Sequence, residues 1–223
     1  MPPKPLSYEE WFKIIRLFMS PFYTQTQCDE FARRLAELFV YTTAERLTDE
    51  RVEYFCSGVT SLYDLVFEEA RRIPDENLVT RFFGAIPRPQ AAQEVMVHVF
   101  QFIGRNLLPL KRSLAKSPIF YRMICRLLGN PQTGVARNTI LRDLLPKTGR
   151  GDGVDFAALL QEPNLHEYCF TALRRLKDGR FVREAEAILA NAPDDDPCLR
   201  QALRRYLDLF AAPQNEPPSE PRR

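Results

Sequence analysis

Apolar residues recur along the chain at the three- and four-residue spacing of a helix face, and almost no stretch alternates as a half-buried strand would. Trp11, Ile14, Ile15, Phe18 and Met19 make the first stripe. Ser7 and Glu10 form a capping box in front of it, and Pro21 stops it. Phe31, Leu35, Leu38 and Phe39 predict a second helix over about 24–41. Val52, Phe55, Val59, Leu62, Leu65 and Val66 predict a third from about Thr48, closed by Ile73-Pro74. A short helix is expected over about 76–85.

Prolines then act as starters, because a first-turn proline has no N–H to lose. Pro89, Pro118, Pro131, Pro163 and Pro197 stand at such positions, with Ser117, Asn130 and Asp196 as N-caps in front of three of them. The predicted helices run at about 89–107, 110–116, 118–128, 131–145, 154–161, 163–177, 179–191 and 197–211. The glycine-rich stretch 147–153 reads as a flexible loop. This is an all-α chain, taken as one helical domain over 7–212 between a disordered N-terminus, 1–6, and a disordered proline-rich tail, 213–223.

Two stretches resemble each other. Leu127-Leu128-Gly129-Asn130-Pro131 is followed by Val135, Ala136, Ile140, Leu141 and Leu144; Leu173 and Leu176-Lys177-Asp178-Gly179 are followed by Val182-Arg183, Ala185, Ala187, Ile188 and Leu189. Each is an apolar helix end, a tight polar turn, and a helix whose small residues pack beneath it. Val135 and Val182 are 47 residues apart, within the armadillo and HEAT period of roughly 40–47. Residues 118–211 thus resemble armadillo/HEAT repeats, the first copy departing at Val135-Ala136-Arg137, where Val-Arg is usual. The resemblance implies a right-handed α-solenoid of helical hairpins; an irregular multi-helix bundle and other superhelices, such as the VHS/ENTH type, are the alternatives.

Composition narrows the class. The 223 residues are 45% hydrophobic and 11% aromatic, which excludes a disordered chain, and long enough for a substantial core. Five scattered cysteines without a C-x-x-C pair read as reduced thiols, and with no apolar leader the expected location is cytoplasmic or nuclear.

Net charge is only +2, but it is unevenly placed. Residues 1–104 hold 11 bases and 15 acids, and residues 151–223 hold 10 bases and 13 acids. Between them, 105–150 carries 10 bases against Asp143 alone, a local net of +9. Arg105, Lys111, Arg112, Lys116, Arg122, Arg126, Arg137 and Arg142 are the candidate partner-binding residues. Arg122 and Arg126 stand opposite Phe120, Met123, Ile124 and Leu127 and share an exposed face, as do Arg112 and Lys116.

Catalytic and cofactor chemistry finds no constellation in the sequence. His98 lies in an apolar helix, and His166 with Cys169 offers two ligands where zinc takes three or four, so no metal is expected. Gly149-Arg150-Gly151-Asp152-Gly153 lacks the Gly-Lys-Ser/Thr ending and the strand of a phosphate loop, and no cofactor is expected. The expected function is a non-catalytic adaptor or scaffold within a larger assembly. It would dock an acidic or phosphorylated protein segment on the basic surface, with no membrane insertion. RNA or DNA binding by the same bases is the alternative.

Overall fold

The computed structural model describes residues 6–19, 25–43, 47–72 and 88–210, and every regular element among them is helical. The expected helix at 76–85, residues 1–5 of the expected disordered N-terminus and the whole of the expected disordered tail lie outside the described residues. The chain divides into two compact units, Met1–Val154 and Asp155–Arg223.

The first unit opens with α1 (Tyr8–Met19), α2 (Gln25–Thr43) and α3 (Asp49–Arg72), each packed on the next. The capping box forms in both directions: the Ser7 amide donates to Glu10 Oε2 at 2.7 Å, and the Glu10 amide donates to Ser7 Oγ at 3.3 Å. Next come α4 (Arg88–Phe102), α5 (Arg112–Lys116), α6 (Pro118–Leu128) and α7 (Ala136–Thr139). Ser117 caps α6 as expected, accepting from the Ile119 amide. Asn130 likewise caps a 3-10 turn, Pro131–Thr133, accepting from the Gln132 amide.

An aromatic chain joins these helices at the core. Trp11 of α1 meets Phe39 of α2 and Phe102 of α4 edge-on, at 5.3 and 5.6 Å between ring centres. Phe39 stacks on Phe102 at 5.2 Å and reaches Phe55 of α3, which reaches Phe120 of α6. All five rings are buried. Such contacts add to the burial energy of the rings themselves, and they fix α6, with Arg122 and Arg126 on its outer face.

Two helices change pitch. α4 runs into a π turn, Ile103–Leu107, and then Leu108–Leu110; α7 runs into a π turn, Ile140–Leu144, and then Leu145–Thr148. The cause is local sequence. Pro109 and Pro146 can neither donate to the helix nor tolerate the carbonyl four residues back. One residue before each proline, the Leu108 amide bonds Ile103 O and the Leu145 amide bonds Ile140 O, five residues back instead of four. The Gly104 carbonyl, which Pro109 cannot serve, takes a hydrogen bond from Lys147 Nζ instead.

The second unit holds α8 (Phe156–Leu159), α9 (His166–Leu176), α10 (Val182–Asn191) and α11 (Pro197–Phe210). α11 packs on both α9 and α10. Asp196 caps α11 as expected, its Oδ1 accepting from the Leu199 amide at 2.9 Å. Tyr206 is the hub. It is fully buried, lies 5.1 Å from the Phe170 ring, donates to Asp178 O at 2.8 Å and accepts from the Phe181 amide at 3.2 Å. It thereby pins the turn between α9 and α10 to α11.

Candidate functional site

The basic segment lies wholly within the first unit, and the structure sorts its ten bases into two groups. Five are committed to the fold. Arg137 is the clear correction to the sequence reading: it is buried, 4% exposed, with Nε donating to Gly134 O. The sequence reading treats 131–145 as one regular helix, whereas α7 begins at Ala136 after a 3-10 turn and becomes a π turn at Ile140. With three pitches in one stretch, a 3.6-residue period cannot say which side chains face outward.

Arg142 forms a fork with Asp143, at 3.0–3.3 Å. Lys147 serves the Gly104 carbonyl. Arg150 pairs with Asp152 and lies over the Tyr121 ring at 4.5 Å. Lys111 is half-buried and already has an interaction of its own.

The other five are Arg105, Arg112, Lys116, Arg122 and Arg126. All are exposed, on the consecutive elements formed by the first π turn, α5 and α6. None has a salt bridge or side-chain hydrogen bond among the described residues. No described acid of the N-terminal helices forms a salt bridge with them. Asp29 pairs with Arg16, and Glu30 takes both Arg33 and Arg34, whose hydrogen bonds hold its carboxyl below the usual range. Arg51, in turn, donates to Tyr41 O and lies over the Tyr41 ring. Arg16, Arg33, Arg34 and Arg51 thus all have partners, whereas Arg105, Arg112, Lys116, Arg122 and Arg126 have none among the described residues.

Arg122 also feels the seam between α3 and α6. Burial pushes the Cys56 thiol up to about 12; nearby Glu53 adds to that rise and Arg122 opposes it. Such a thiol stays protonated and is a poor nucleophile. Phe120 and Tyr121 are buried, as their spacing predicts, so α6 offers no aromatic platform beside its arginines.

The loop at 147–153 is fastened rather than loose. The Gly153 amide donates to Tyr121 Oη at 2.7 Å, Thr148 Oγ1 accepts from the Arg150 amide, and Val154 is buried. The preceding turn, 130–135, is braced by residues the sequence does not single out. Tyr63 Oη lies 3.2 Å from Thr133 Oγ1 and accepts from Asn130 Nδ2, while Gln93 donates to Gln132 O and accepts from the Val135 amide. Gly134 has φ of +51°, and the Gln93 side chain fills the space a Cβ would need.

No group of three metal-ligating side chains occurs among the described residues. His98 is half-buried, with its basicity lowered by burial. His166 Nε2 lies 2.9 Å from Leu160 O, and Cys169 is fully buried. All five cysteines are free thiols. No described helix is long and apolar enough to cross a membrane.

The signal that sequence reasoning missed is a short duplication. Ile103-Gly104-Arg105-Asn106-Leu107-Leu108-Pro109 is repeated as Ile140-Leu141-Arg142-Asp143-Leu144-Leu145-Pro146, and both copies form π turns. Comparison with known proteins adds no relative: no family model, curated protein or solved structure matches the chain.

Proposed function

We propose that this protein is a non-catalytic interaction module that docks an acidic segment of another protein on the outer faces of α5, α6 and the first π turn. The observation that carries this reading is the set of five exposed cations with no salt bridge or side-chain hydrogen bond among the described residues, Arg105, Arg112, Lys116, Arg122 and Arg126. Like charges four residues apart, as at Arg112/Lys116 and Arg122/Arg126, repel by about 0.2–0.5 kcal/mol on a helix. An acidic partner removes that repulsion and gains charge-assisted hydrogen bonds. The architecture is read as armadillo/HEAT-like helical hairpins, supported by the short polar turns at 129–135 and 177–181. A cytoplasmic or nuclear setting agrees with the five free thiols. An adaptor or scaffold role within a larger assembly follows from this reading.

The test is fluorescence anisotropy with labelled hexaglutamate. Reversing Arg112, Lys116, Arg122 and Arg126 to Glu is expected to weaken binding at least about tenfold, with helix content and melting unchanged. Unchanged affinity would reject the reading. Nucleic acid is the competing ligand, and buried Phe120 and Tyr121 count against it, since single strands stack on exposed aromatics. Tighter binding of a uridine dodecamer, with a log–log salt slope near −0.7 per neutralised phosphate, would favour it instead.

A further inference from the structure

The two copies of the π-turn motif form an internal control. They pack on each other: a Cβ at Gly104 would lie 3.2 Å from Asp143 Cβ and from Leu144 Cδ2, and Lys147 holds the Gly104 carbonyl. Both therefore display their next residues from a fixed backbone. They differ at one chemically decisive position. In the second copy Arg142 is followed by Asp143 and its fork is filled by that carboxylate, with three nitrogen–oxygen distances of 3.0–3.3 Å. In the first copy the acid is replaced by an amide, Asn106. Arg105 and Asn106 are both exposed, and neither side chain has a polar partner among the described residues.

We propose that Arg105 and Asn106 are the carboxylate contact of the docking surface, taking from an acidic protein segment the group that Asp143 supplies to Arg142 internally. This rests on the docking reading above and gives it a specific point of attachment. The chemistry follows from the substitution. An aspartate beside Arg105 would occupy its fork and repel an incoming acid, whereas the Asn106 amide leaves the fork open and adds a donor of its own. A carboxylate is the group the fork already holds in the sister copy. Arg112 and Lys116, on the next helix, extend the positive field for the rest of an acidic segment.

The decisive variant neutralises the site without removing a base. In titrations of the full chain with labelled hexaglutamate, Asn106→Asp is expected to weaken binding about threefold to fivefold, the scale of an exposed ion pair. Arg105→Gln should match it, and the double variant should be no weaker than Arg105→Gln alone, because both act on one contact. Arg105→Gln, which removes the fork without adding a charge, keeps the proposal testable if Asn106→Asp shifts the melting curve. Wild-type affinity in Asn106→Asp and Arg105→Gln, while the Arg112/Lys116/Arg122/Arg126 reversal abolishes binding, would overturn this assignment and leave the wider reading standing. No binding of hexaglutamate by the wild-type chain would overturn both. Tighter, Asn106→Asp-sensitive binding of a phosphothreonine peptide or a uridine dodecamer would overturn the carboxylate assignment.

Discussion

At Arg137 a guanidinium is held in the interior beside the Gly134 carbonyl, while Arg122, fifteen positions earlier, stands exposed on α6. Reversal to Glu should separate the two. Arg137→Glu buries a charge of the wrong sign and is expected to cost at least about 3 kcal/mol, seen as an early loss of helix on heating. Arg122→Glu should melt as wild type, within about 0.5 kcal/mol. In the second unit Asp178 offers a pH test. Hydrogen bonds from Arg180 hold its carboxyl below the ordinary range, outweighing partial burial. The pair therefore stabilises fully above the unfolded carboxylate range, and this is lost as pH falls through the depressed folded value. Asp178→Asn is expected to cost about 1 kcal/mol at neutral pH, because Arg180 is largely exposed and screened. The difference from wild type should shrink below about pH 4.

At the scale of elements, caps and stripes were legible because they are local. Ser7/Glu10, Ser117, Asn130 and Asp196 all cap where the sequence placed them. The inward faces of α2 and α6 are buried as their spacing requires. What escaped was pitch. Leu-Leu-Pro at 107–109 and at 144–146 sits inside an apolar run, so helical periodicity continues on paper while the proline forces the hydrogen bonds from four to five residues. The consequence is a carbonyl at Gly104 that needs an outside donor, and Lys147, one of the ten bases between 105 and 150, provides it. Lys147→Met should therefore cost about 1 kcal/mol of stability in chemical denaturation. Hexaglutamate affinity should stay unchanged, since the lysine is not part of the docking set.

Across the whole molecule, charge and packing divide differently. The acid–base–acid pattern changes sign near 104 and again near 150, whereas the boundary between compact units falls at Val154. Each unit has its own aromatic centre, Trp11–Phe39–Phe102 in one and Phe170–Tyr206 in the other. A fragment spanning 155–223 is accordingly expected to be helical and to melt cooperatively, since a chain of about 60 residues can sustain a core of its own. Tyr206→Phe should cost that fragment about 1–3 kcal/mol by stranding the Asp178 carbonyl and the Phe181 amide. The sequence by itself determined that the chain is all-helical, where most helices start, and that ten bases fall together between 105 and 150. Those follow from short-range rules of period, capping and count. Only the tertiary structure decided which bases remain outside. That choice depends on what crosses the chain: Lys147 reaching Gly104, Arg137 turning in beside the braced loop, and Asp143 filling one fork while Asn106 leaves its twin open.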